Sequence, residues 1–204
     1  MVTFMAINQP VGRDSWNSDL RKTAHHEAGH AVIAIIVGPP DYRFQSVVIH
    51  RPGGDQPASH LSGAVIGPAL FPARSMRAEY GTFANFARRI LSGPQPRAEA
   101  VYRQDMEAQC LVAFAGPLAE AKLCNSSPEL ILDKEAEGDR IMIENCIRFF
   151  DPGEDAFSIA RHRLEQRASR LVATHWRDIE AVAVALIRRG ELQFDEVAQL
   201  IGAS

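Results

Sequence analysis

The apolar positions of the chain follow two periods, and together they predict a mainly helical protein with a little sheet. Residues 1 to about 18 sustain neither period and read as an irregular N-terminal segment. Ser18 or Asp19 would then cap a helix that carries the apolar stretch Ala31-Val32-Ile33-Ala34-Ile35-Ile36 and stops at Gly38-Pro39-Pro40. Phe44 to His50 has the length of a strand, with Val47-Val48-Ile49 at its centre and the turn-rich Arg51-Pro52-Gly53-Gly54-Asp55 behind it. A second strand, from His60 to Ile66, would complete a hairpin or the edge of a small sheet.

Helical spacing returns over Ala73 to Leu91 and over Arg97 to Lys122, with Gly93-Pro94 between them. A loop through Asn125-Ser126-Ser127-Pro128 leads to a helix starting near Asp139, with Ile143, Cys146 and Phe150 on one face. Asp155 to Arg189 reads as one or two amphipathic helices, and Asp195 to Ile201 as a short last one. The expected class is therefore α+β, mainly α, with residues 19–204 forming a single domain.

Size and composition agree with one domain, since 204 residues at 46% hydrophobic and 23% charged can bury a substantial core. A net charge of -3 supplies no basic field, which argues against nucleic acid or an anionic membrane as partner and leaves polypeptides or small polar molecules. Cys110, Cys124 and Cys146 form no CxxC pair and are odd in number, the usage expected of a reducing cytoplasm. Met1 to Pro10 lacks the basic and apolar regions of an export signal. The longest apolar run, Ala31 to Val37, falls far short of the roughly 20 residues of a membrane span. A cytoplasmic protein without a membrane span is expected.

The first helix carries the sharpest chemistry, His26-Glu27-Ala28-Gly29-His30. Histidines four apart project from one helix face, so His26 and His30 can reach one zinc ion, while Glu27 can reach a water bound beside it and serve as general base. Gly29 costs a helix about 1 kcal/mol relative to alanine, which implies that something packs closely there. His25 points about 100° away around the helix and is read as a surface or outer residue. His50, His60, His162 and His175 stand alone and are assigned no metal role.

With Thr23-Ala24-His25-His26-Glu27-Ala28-Gly29-His30-Ala31-Val32 in view, the sequence resembles the peptidase domain of the FtsH family, the M41 metallopeptidases. Val47-Val48-Ile49 looks like that family's substrate-side strand. Ala115-Gly116-Pro117-Leu118-Ala119-Glu120 looks like its Gly-Gly-x-Ala-Ala-Glu helix, and the segment from Trp176 to Val197 like its closing helices. The resemblance implies a third zinc ligand from an aspartate that opens a helix after a small polar turn, which Ala136-Glu137-Gly138-Asp139 matches. Independently, an aspartate at the start of an apolar helical face is well placed to point inward as a zinc ligand; the alternative is a helix cap, and Asp133, Glu135 and Glu137 compete for the role.

Two histidines and one carboxylate leave a fourth position open on Zn2+, the arrangement of catalytic sites. The expected activity is that of a zinc-dependent endopeptidase that hydrolyses unfolded or loosely structured polypeptides through a metal-activated water, with the substrate paired to an edge strand at Val47, Val48 and Ile49. The family couples this domain to an ATPase, yet no G-x-x-x-x-G-K-[ST] loop occurs in the sequence, so ATP binding is not expected and a separate unfoldase or delivery partner is implied. By analogy with the family's rings a homo-oligomer is expected. Residues 67–96 look longer than the corresponding connection and suggest a lid or an oligomer contact. Two other readings remain: a zinc-containing interaction module derived from a peptidase and lacking turnover, and a structural helical domain with a chance motif.

Overall fold

A computed structural model describes residues 13–39, 42–50, 62–66, 96–134 and 136–203. The expected turn at 51–55, the helix at 73–91, the break at 93–94 and the segment 67–96 lie outside them, as do His60 and Glu135, apart from Pro96 itself. Among the described residues the elements in chain order are α1 (Arg13–Val37), β1 (Ser46–His50), β2 (Ser62–Ile66), α2 (Pro96–Cys124), α3 (Pro128–Lys134), α4 (Glu137–Phe150), α5 (Glu154–Thr174), α6 (Trp176–Arg189), β3 (Glu191–Gln193) and α7 (Phe194–Leu200). The class is α+β and mainly α, with one three-stranded antiparallel sheet.

The centre of the molecule is the packing of α1 on α2. Contacts descend along one helix as they ascend along the other, His26 meeting Glu120 and His30 meeting Val112, so the two run antiparallel. Where they approach, α2 presents two small buried residues, Ala115 and Ala119, to Gly29 of α1. Small side chains let the backbones approach. A Cβ on Gly29 would lie 2.6 Å from the Ala115 carbonyl oxygen and 2.9 Å from the Ala119 Cβ. The close contact inferred from the helix cost of Gly29 is therefore present. Larger residues, Ile33, Met106, Leu111 and Phe114, fill the layers around this seam. The other helices pack outward, α6 against α1 and both α4 and α5 against α2.

Several boundaries differ from those expected. The first helix begins at Arg13, ahead of the cap expected at Ser18 or Asp19, and ends at Val37 before Gly38-Pro39. Helix α3 forms between the loop at 125–128 and the helix near Asp139, where the sequence reading places no helix. Proline is favoured at the first helical position, where its missing N–H is not needed, and the Leu130 N–H donates to the Ser127 hydroxyl at 3.4 Å. Asp155 to Arg189 is two helices, joined at His175. Strand β3 is only three residues long and too short to show a period; Gly190, in the left-handed region at φ 82°, turns α6 directly into it.

The hairpin is as expected, with Val47 opposite Val65 and Ile49 opposite Gly63. The placement of β1 at an edge is not. The strand order is β2-β1-β3, with Val47 opposite Leu192 and the Ile49 N–H donating to the Gly190 carbonyl at 2.8 Å. Val47, Val48 and Ile49 are thus buried in the central strand, with both backbone edges engaged, and cannot receive a substrate strand. The sequence could not show this, because the strand occupying the second edge arrives from about 140 residues downstream.

Candidate metal centre

His26 and His30 project from α1 toward α2 and α4, and the start of α4 brings Asp139 between them. The His26 Nε2 lies 3.1 Å from one Asp139 oxygen and the His30 Nε2 lies 3.5 Å from the other. The three candidate ligand atoms fall within 4.8 Å of one another. Ligands about 2.1 Å from a tetrahedral zinc stand about 3.4 Å apart, so the donor set fits such an ion in both kind and spacing.

The competing readings of Asp139 separate here. The residue flanking the start of α4 is Ala136, Asp139 lies inside the first turn, and its carboxylate engages the histidines, so it does not cap the helix. Asp133 and Glu137 are exposed, and among the described residues the one group of metal-ligating side chains is His26, His30 and Asp139.

The imidazoles are held from behind by α2. The His26 Nδ1 donates to Glu120 at 3.1 Å, and the His30 Nδ1 donates to the Val112 carbonyl at 2.7 Å. Gly116 lies between these acceptors. A Cβ there would fall 2.3 Å from the His30 Nε2 and 2.8 Å from the His26 Cδ2, so the rings occupy the space that any side chain at 116 would take. Glu27 is buried at 7% exposure, and its side chain lies against β2: a Cβ on Gly63 would meet its Cγ at 2.3 Å and its Oε1 at 2.7 Å.

The charges are strongly coupled. Burial opposes a charge on His26, yet hydrogen bonds to Asp139 and Glu120, with the charge of Asp139, raise its pKa to about 10. His30 is also raised, the Asp139 charge outweighing burial. Burial would raise Asp139, but the two histidines hold it below the usual carboxylate range. Glu27 is raised, chiefly by burial and against the pull of His30 and His26. The cluster thus holds protons between imidazole and carboxylate that a divalent cation would replace.

Of the residues picked from sequence, His26, Glu27, His30 and Asp139 come together, whereas Val47, Val48 and Ile49 lie in the central strand. His25 is not a surface residue. It is buried at 4% exposure, donates from Nδ1 to the Arg21 carbonyl at 2.7 Å and packs on the Trp176 ring, tying α1 to α6. His162 and His175 bond to Gln166 and Asp178, away from the cluster. The sequence reading assigns no site role to Val112, Gly116, Glu120 or Gly63, although Gly116 and Glu120 fall within the helix that carries part of the family resemblance. For Gly116 and Glu120 a signal existed: a glycine inside a long helix, followed four residues later by a carboxylate on the same face.

Among the described residues no helix is long and apolar enough to cross a membrane. No family model matches the chain, and comparison with curated proteins finds no match.

Proposed function

We propose that this chain is a zinc-dependent endopeptidase of the FtsH-like kind, acting on unfolded or loosely structured polypeptides. The observation that carries the reading is the convergence of His26, His30 and Asp139, 113 positions apart in sequence at its widest, with Glu27 buried beside them. A metal-storage or purely structural cluster has no need of a general base beside its ligands, the role Glu27 would take. His26, His30 and Asp139 would hold the zinc. When bound, zinc would polarise a peptide carbonyl and make a water molecule more acidic.

Glu27 would take the water's proton on a carboxylate oxygen and pass it to the leaving amine. Its raised pKa suits it to accept and return that proton. An extended substrate would pair with β2 rather than β1. Among the described residues β2 has a single strand neighbour, and its Gly63 lies against Glu27, so a chain laid along its outer edge would pass the proton acceptor. Such pairing uses backbone groups and implies little sequence selectivity. Substrates would be peptides, loose segments or proteins delivered by an unfoldase, in a cytoplasmic and homo-oligomeric setting.

The test is zinc content and cleavage of a permanently unfolded, fluorescently labelled protein by wild type and Glu27→Gln. The expected result is about one zinc per chain in both, with cleavage lost in the variant. Zinc in both with equal cleavage removes Glu27 from the mechanism. Zinc in wild type without any cleavage favours the interaction-module reading.

A further inference from the structure

The two candidate zinc ligands on α1 are four residues apart, and so are the features of α2 that face them: Val112, Gly116 and Glu120. Antiparallel packing aligns the two spacings. Val112 offers a carbonyl to the His30 Nδ1 at 2.7 Å, Gly116 leaves room for both rings, and Glu120 offers a carboxylate to the His26 Nδ1 at 3.1 Å. Glu120 is 5% exposed, and a carboxylate is costly to bury unless it meets a donor or a positive charge. Packing alone would be served by an apolar residue at this position.

We propose that Glu120 is a positioning residue for the metal ligand His26, accepting the Nδ1 proton and so directing the Nε2 lone pair at the metal. The inference rests on the zinc site proposed above. With Nδ1–H held by Glu120, the proton that leaves on metal binding is the one at Nε2, and the ring plane is held against α2. The negative charge behind the ring also makes Nε2 a stronger donor to a cation. His30 receives the same orientation from a neutral carbonyl without that charge, so the two histidines are unequal ligands and His26 is the one tuned by charge.

The experiment measures zinc affinity by chelator competition for wild type, Glu120→Gln and Glu120→Ala, with 15N NMR of the His26 ring in each. Alanine removes both acceptor and charge, and affinity should fall about 10- to 100-fold while the 15N shift of the His26 Nδ1 moves as its hydrogen bond is lost. Glutamine keeps an acceptor oxygen at nearly the same volume, so the Nδ1 shift should stay near wild type with a smaller loss of affinity. Should the alanine variant not fold, the glutamine variant alone decides the charge effect. Wild-type affinity in both variants, or a fall in thermal stability with affinity and Nδ1 shift unchanged, would make Glu120 a structural residue and overturn the proposal. Absence of zinc from wild type would instead remove the metal centre itself, a result the Glu120 variants cannot produce.

Discussion

Replacing Gly63 by alanine separates Glu27, the proposed proton acceptor, from the proposed ligands. The added Cβ would stand 2.3 Å from the Glu27 Cγ and 2.7 Å from its Cδ and Oε1. Carbon atoms in contact prefer about 3.5–4.0 Å, so Cγ must move by more than about 1 Å. Glu27 is anchored by the packed helix α1, and Cγ is only two bonds from its backbone, so the movement must come from χ1 and carries the whole carboxylate with it. A shift to a poorer rotamer costs about 0.5–1.5 kcal/mol, offset in part by the benefit of alanine over glycine in a strand, so global stability should change by less than about 1 kcal/mol.

Catalysis is far more sensitive. Misplacing a catalytic group by about 1 Å costs about 10²-fold, equivalent to about 2.7 kcal/mol of transition-state stabilisation. The assay is kcat/KM on the unfolded protein substrate, beside zinc content and melting temperature. The expected outcome is a loss of about 10²-fold, with zinc and melting temperature near wild type. Full activity would show that Glu27 does not act from the position in which it packs against β2, and loss of zinc would show that Gly63 supports the ligands instead.

Two other glycine substitutions should separate in their readouts. At Gly116 the alanine Cβ would strike the His30 Nε2 itself, at 2.3 Å, so zinc affinity should fall by at least the about 10- to 100-fold that disturbing an outer partner costs; wild-type affinity by chelator competition would contradict the site. At Gly29 helix propensity alone predicts a gain of about 1 kcal/mol from alanine, but the new Cβ meets the Ala115 carbonyl, a backbone atom that moves only if the helices separate. Overpacking of about 1–3 kcal/mol, toward its upper end because the obstacle is backbone, should win, giving net destabilisation of up to about 2 kcal/mol in urea unfolding, and a higher midpoint would refute the close α1–α2 contact.

Much of this protein is written locally. His26, Glu27 and His30 are readable because a helix has a fixed pitch: residues four apart must share a face, so two metal-ligating donors are fixed by local geometry alone. The cost of glycine in a helix is equally local, which is why Gly29 announced a close neighbour before the neighbour was known. Helix α2 and the β1–β2 hairpin were legible for the same reason, each signalled by its own periodicity and turn residues.

What tertiary structure decided are the relations between segments. Whether Asp139 caps a helix or binds a metal depends on whether α4 begins against α1, which no pattern around residue 139 contains. Glu120 and Gly116 became part of the site only when antiparallel packing set one four-residue spacing against another. Strand β1 looked like an edge because its hairpin partner is local and visible, while its other neighbour, β3, is three residues long and follows α6. Strand order is settled by which distant chain covers a backbone edge, and that is a property of the folded whole.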